Sequence, residues 1–308
     1  MADTVFITGI AGFIGRALAR SFDAQGMTVK GLARGPVNIG NCQVIAGDVE
    51  NGSSFGEIAA VCDTLIHLAA PTLGADIHAR PLAAMRINLL GTLNALEAFA
   101  AGSGKHFILV STGKVYGPPQ LLPITEEHPL NPDTALGKSK LACERLVSFY
   151  CEHSLDKTFT ILRLFNAYGP GQKAGMLIPS ILTQALNENG TGRIVLGNAL
   201  PKRDFIYIDD VVSAIGRVCS ARNEINDRLQ ILNVGSGTSA SPADIVSLLA
   251  RITKNELHIV CDQSRVRKGE PDEERACIDK LRRLDWTPRH DLIEGLKLTR
   301  QAMKNDCR

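Results

Sequence analysis

No window of the 308 residues approaches the ~18 uninterrupted apolar residues that a membrane helix needs. Met1-Ala2-Asp3-Thr4 sets no basic region before its apolar run, and glycines break that run. Neither a secretion signal nor a membrane association is expected, and a cytoplasmic setting is. An excess of one charge is also missing: Lys plus Arg number 34 against 32 Asp plus Glu. The signs are mixed along the chain, which excludes the basic stripe of a nucleic-acid binder. The eight cysteines (42, 62, 143, 151, 219, 261, 277 and 307) form no CxxC pair and no close Cys/His set. Free thiols follow, with no disulfide frame and no metal site. Repeats and low-complexity tracts are absent.

What is present is an ordinary soluble composition, 44% hydrophobic and 21% charged, with length for about two domains. Short β-rich runs alternate with helical patterns: Thr4–Thr8 then Phe13–Gln25, Thr28–Ala33, Thr64–Leu68 then Leu82–Ala101. His106–Val110 then Leu136–His153, and Thr158–Leu162, continue the rhythm. Phe107-Ile108-Leu109-Val110 is apolar on both faces, as a covered parallel strand must be. The pattern predicts an α/β fold, a doubly wound parallel sheet with a smaller α/β lobe beside it. Residues 1–166 are read as the first domain, with returns at about 204–235; 167–203 and 236–308 form the second lobe.

Gly9-Ile10-Ala11-Gly12-Phe13-Ile14-Gly15 directly follows the strand Val5-Phe6-Ile7-Thr8 and opens a helix. Glycines there allow a tight turn and close approach of backbone to a pyrophosphate, which the helix N-terminus then holds. The spacing is GxxGxxG. With Ala46-Gly47-Asp48-Val49, Leu68-Ala69-Ala70 and Asn88-Leu89-Leu90-Gly91-Thr92, it resembles the extended short-chain dehydrogenase/reductase family. That family includes nucleotide-sugar epimerases, dehydratases and ketoreductases on a Rossmann sheet. The resemblance implies that Gly9, Gly12, Phe13, Ile14, Gly15, Asp48, Val49, Leu68, Ala69 and Ala70 contact a dinucleotide. His67, on the same strand, is read as a packed residue. The second strand ends Val29-Lys30-Gly31-Leu32-Ala33-Arg34, with no carboxylate for ribose hydroxyls. Arg34 favours a 2′-phosphate, so NADP is expected over NAD.

Ser111-Thr112-Gly113-Lys114-Val115-Tyr116-Gly117 resembles the family segment whose second hydroxyl residue, here Thr112, bonds the reacting oxygen. Downstream the family places Tyr-x-x-x-Lys on one helix face, the lysine holding the nicotinamide ribose and tuning the phenol. Here Lys140 is present and Leu136 stands at the tyrosine position. Leucine cannot transfer a proton. Three explanations stay open: binding without turnover, a relocated acid such as Lys114 or Tyr116, or steps needing only Thr112 and solvent. The Asp-Glu pair of sugar dehydratases is replaced by Gly113-Lys114, which disfavours dehydration.

Arg163-Leu164-Phe165-Asn166-Ala167-Tyr168-Gly169-Pro170 resembles the segment whose Asn bonds a sugar nucleotide. Lys202-Arg203-Asp204-Phe205 and Arg267-Lys268-Gly269-Glu270 resemble two segments that bring arginines onto a diphosphate. Guanidinium forks match such oxygens well. Asn166, Arg203 and Arg267 are the candidate substrate residues; Thr112, Lys140 and Lys114 are the candidate catalytic ones. Asp209-Asp210 is read as capping the helix that follows, and Trp286 as packing. The resemblance implies C4 epimerisation or 4-keto reduction of a nucleotide-diphospho-sugar, with homodimers formed through Leu82–Ala101 and Leu136–His153. The rival is a catalytically silent protein that keeps both ligand sites.

Overall fold

The computed structural model describes residues 3–56, 61–71, 77, 79–186, 191–223, 227–266 and 269–306. Strands β1 (Thr4–Thr8), β2 (Thr28–Ala33), β3 (Gln43–Ala46), β4 (Thr64–His67), β5 (His106–Thr112) and β6 (Thr158–Leu164) alternate with helices. Those helices are α1 (Phe13–Ala24), α2 (Pro81–Ala101) and α3 (Ala135–His153). A later strand, β11 (Leu229–Val234), joins them in one seven-stranded parallel sheet of order β11-β6-β5-β4-β1-β2-β3. This is the doubly wound fold that the alternation predicts.

Each strand divides its apolar residues between two covered faces. Ile7, Ile66 and Ile108 pack with Leu18 and Phe22 of α1 and with Ile215 of helix α5 (Ile208–Ser220), which cover one face of the sheet. Phe6, Leu65, Phe107 and Phe159 face the other way, against Leu96 and Phe99 of α2 and Cys143 and Val147 of α3. Burying each such side chain contributes about 1.5–3 kcal/mol, so both faces must be covered and the sheet sits inside. The chain winds outward from β1 in one direction through β3 and returns at β4 in the other. The strand order therefore reverses between β1 and β4, and a crevice opens at their carboxyl ends.

The second lobe holds α4 (Leu177–Leu186), α6 (Pro242–Thr253) and three two-stranded parallel pairs. These are β7 (Asn166–Tyr168) with β10 (Phe205–Tyr207), β8 (Thr191–Leu196) with β12 (Glu256–Cys261), and β9 (Lys202–Arg203) with β13 (Glu273–Glu274). Its core collects Tyr168, Ile178, Ile181, Leu182, Tyr207, Ile245 and Leu249. A capping box starts α6: Asp244 N–H donates to Ser241 Oγ at 3.0 Å, and Ser241 N–H to Asp244 Oδ2 at 2.8 Å.

Asp209 and Asp210 lie inside the first turn of α5, whose N-cap is Tyr207, so the capping reading is corrected. Buried Asp210 instead accepts from the backbone N–H groups of Arg289 and His290, at 2.9 and 3.0 Å. It ties the C-terminal segment to the sheet's flank. Trp286 is buried and donates to Ser213 Oγ. The seven described cysteines are free thiols, and Cys307 lies outside the described residues. No helix among the described residues is long and apolar enough to cross a membrane.

Candidate active site

At the crevice, Gly9 and Gly15 occupy positions that no side chain fits, and Gly12 one where a side chain would be tight. Gly9 adopts φ +70°, and a Cβ there would stand 2.9 Å from the backbone of Ala69. A Cβ on Gly15 would drive into the Gly9 carbonyl, and one on Gly12 would sit 3.1 Å from the same oxygen. The turn is thus pressed onto the β4 end at Leu68 and Ala69, leaving bare backbone at the N-terminus of α1. An elongated anion fits that cradle. The residues present therefore suit a dinucleotide pyrophosphate.

The wall beside the cradle is fixed by Thr8. Its Oγ1 accepts from the N–H groups of Leu68 and Ala69, each at 3.2 Å, which turns its own proton toward His67 Nδ1 at 2.8 Å. His67 is fully buried and neutral, its pKa lowered to about 3 by burial and by nearby Lys140. The packing role expected of it holds. Asp48 is exposed, and its Oδ1 accepts from Glu50 N–H, shaping the turn beside buried Val49. Val49 rests under Gly91, where a Cβ would come within 2.9 Å of it. Arg34 is exposed at the end of β2 and makes no ion pair among the described residues.

The other wall is built where α3 meets the end of β5. A 3-10 turn, Gly113–Val115, follows β5, and Thr112 Oγ1 accepts from Lys114 N–H at 3.2 Å. Thr134 caps α3 by accepting from Gly137 N–H at 3.1 Å. Gly137 then lies directly against the Lys114 carbonyl, too close for any Cβ. This contact brings Leu136 and Lys140, one turn apart on α3, to the Thr112–Lys114 segment. Lys140 is buried and donates to the Val110 carbonyl at 2.9 Å. Burial lowers its pKa, and the charges of Cys143 and Glu144 act in the other sense.

Tyr116 does not face the crevice. It is fully buried, donating to Asn233 Oδ1 at 2.6 Å and accepting from Arg163 Nη1 at 3.1 Å. Burial pushes its phenol well above the usual range. As a relocated acid it is ruled out by position. Arg163 also pairs with Glu144 at 2.8 Å, and Glu144 accepts from Ser111 Oγ. This buried network joins β5, α3, β6 and β11 beneath the site.

On the second lobe, Asn166 donates from its side chain to the Asp204 carbonyl at 3.0 Å. Buried Asp204 accepts from Ser236 N–H, Gly237 N–H and Ala276 N–H, which fixes the loops around β9. Arg203 donates from Nη1 to the carbonyls of Lys202 and Pro271. Its Nε lies 3.2 Å from Glu274 Oε2, and Glu274 also takes Lys114 Nζ at 2.8 and 2.7 Å. So Lys114 and Arg203 share one buried carboxylate across the crevice. Glu274 was not visible in the sequence; it sits in the charged run Asp272-Glu273-Glu274-Arg275, which reads as solvated surface. Arg267 lies outside the described residues. No group of three metal-ligating side chains occurs among the described residues.

Residues 5–235 match the NAD dependent epimerase/dehydratase family. The chain belongs to that family. Among relatives, the GDP-6-deoxy-D-mannose reductase of Pseudomonas aeruginosa is 33% identical over 310 residues, spanning 96% of each chain. A putative UDP-glucose 4-epimerase of Methanocaldococcus jannaschii is 30% identical over 321 residues, spanning 99% of each. Of solved structures, MoeE5 in complex with UDP-glucose and NAD superimposes with a TM-score of 0.88 at 26% identity, covering 99% of this chain and all of its own. The UDP-glucose 4-epimerase of Thermotoga maritima with UDP-glucose gives 0.89 at 26% identity, with the same coverage. The family is one of NAD-dependent enzymes.

Proposed function

We propose that this enzyme reduces the 4-keto group of a nucleotide-diphospho-sugar, using a nicotinamide dinucleotide with NADP preferred. The make-up of the wall where β5 meets α3 carries the reading. Epimerisation at C4 requires one side chain to take a proton and return it within the same turnover. The side chain one turn before Lys140 is Leu136, which can do neither. Lys140 donates to Val110 O and Lys114 donates to Glu274, so both offer N–H groups. Reduction is the chemistry such a site suits. A dinucleotide held at the glycine cradle would supply the hydride, and the residues of this wall would meet the ketone oxygen that gains the charge. The protein then needs only proton-bearing groups there.

In this scheme Thr112 holds the C4 oxygen, Lys114 delivers the proton and Lys140 holds the nicotinamide ribose. Gly9, Gly12, Phe13, Ile14 and Gly15 take the pyrophosphate, with Leu68, Ala69 and Ala70 along the wall. Asp48 and Val49 flank the adenine end, and Arg34 takes a 2′-phosphate. Asn166, Arg203 and Arg267 hold the sugar nucleotide. The reductase and epimerase relatives, and the UDP-glucose complexes among the structural neighbours, support a sugar-nucleotide substrate. Two copies pair through α2 and α3, where Leu82 and Phe149 are exposed apolar side chains.

The test follows 340 nm absorbance with NADPH and a nucleotide 4-ketosugar, beside a C4-epimerisation assay on nucleotide hexoses. The parent should reduce the ketone and epimerise negligibly, and Lys114→Ala should slow reduction at least tenfold. Leu136→Tyr should raise epimerisation at least tenfold, since general acid–base catalysis contributes ~100- to 10,000-fold. A parent that epimerises faster than it reduces overturns the proposal. A parent and variant inert in both assays, yet binding both ligands, point to the silent binder.

A further inference from the structure

We propose that Glu274 is a positioning residue for this reduction: it aims Lys114 into the crevice while restraining the grip of Arg203 on the substrate diphosphate. The inference rests on the proposed reduction and extends it to a residue outside the sequence motifs. Glu274 stands on β13, 160 residues from Lys114, and is only 7% exposed. Both of its oxygens accept from Lys114 Nζ, at 2.8 and 2.7 Å. An ammonium carries three N–H donors. Two are directed at Glu274, and the third is left on a side chain 32% exposed. That remaining donor is the one able to meet a substrate oxygen.

The same carboxylate lies 3.2 Å from Arg203 Nε, while Glu270 stands farther off at 4.0 Å from Nη2. Arg203 does not depend on Glu274 for its pose, because Nη1 is held by the carbonyls of Lys202 and Pro271. What Glu274 does to Arg203 is electrostatic. A buried negative charge beside the guanidinium repels an incoming diphosphate. Lys114 has no such second anchor for its ammonium among the described residues. Glu274 thus acts on its two partners in opposite senses: it aids proton delivery and opposes diphosphate binding.

In the step it serves, hydride from the reduced nicotinamide dinucleotide, which is oxidised, would add to C4 while the carbonyl π pair moves to oxygen. The alkoxide takes a proton from Lys114 Nζ, and the amine regains one from water on its exposed side. No further oxidant or reductant is required.

Glu274→Gln keeps the shape and removes the charge. It should lower kcat for the ketone at least tenfold and, measured by calorimetry, lower Kd for UDP or GDP about three- to tenfold. In a Lys114→Met background the same change should alter kcat less than twofold but still tighten the nucleoside diphosphate. Glu274→Asp should recover part of the lost kcat. General damage to the fold would weaken binding, so a raised Kd together with lower kcat overturns the proposal. Equal losses of kcat in both backgrounds, or no change in either quantity, overturn it too. A parent that reduces no 4-ketosugar refutes the proposed reaction and this role with it, whereas an active parent with these negative results refutes Glu274 alone.

Discussion

His67 and His106 contribute to how the fold answers to acid. Both are fully buried, and burial lowers their pKa values to about 3 and about 4. Each has one ring nitrogen with no partner among the described residues, and burial away from water disfavours a second proton at either site. In the unfolded chain both titrate near ~6.5. Below that pH the unfolded state binds more protons than the native one, and stability falls as pH falls. Each histidine costs about 1.4 kcal/mol per pH unit until its folded value is reached. The urea midpoint should therefore drop between pH 7 and pH 5, and His67→Gln should flatten that drop. An unchanged slope in the variant would place the acid sensitivity elsewhere. Arg34 carries a different single-residue expectation. A charge-assisted contact with a 2′-phosphate is worth roughly 1.5–3 kcal/mol. Fluorescence titration should show NADPH bound at least tenfold more tightly than NADH, with the preference gone in Arg34→Ala; equal affinities in the parent would remove Arg34 from the cofactor site.

Among the elements, α3 does most to assemble the crevice, and Gly137 shows how. An added Cβ would strike the Lys114 carbonyl and come within 2.9 Å of Pro132 Cβ, so the first turn of α3 would have to move off the 3-10 turn. Gly137→Ala should lower kcat at least tenfold while dinucleotide affinity falls by less, because the pyrophosphate cradle lies on another wall and only the ribose contact proposed for Lys140 is on α3. A matching loss of dinucleotide binding would mean that the two walls are not independent. The sheet was legible in the sequence because its strands are apolar on both faces and its helices intervene at regular spacing. The glycine turn was readable from its strand–turn–helix setting and His67 from its place on an apolar strand, whereas Thr112 and Lys140 were marked only by resemblance to the family's segments. The pairing of β8 with β12, and the pair β9–β13 altogether, were not legible, since two- to six-residue strands with mixed charge show no periodicity. Burial of Glu274 and Asp210 also escaped the sequence. Each is explained only by partners that lie from 71 to 160 residues away, and acidic residues in charged company are ordinarily solvated.

The whole molecule is stitched by segments that cross between its two lobes. The chain leaves the sheet at β6, builds β7 to β10 outside it, lays α5 against α1, and only then returns with β11 to pair with β6. Asn233 arrives on that last strand, and with it the partner of the Tyr116 hydroxyl above the Arg163–Glu144 pair. This order has a consequence for birth of the protein on the ribosome. From Leu164 to Val234 is 70 residues, which at ~5–20 residues per second takes roughly 4–14 s. For that interval β6, carrying Phe159 and Ile161, is a bare sheet edge able to pair with a neighbouring nascent chain. The strand that closes this edge also supplies the last member of the buried polar network, so the growing chain completes its sheet and the footing of its active site together.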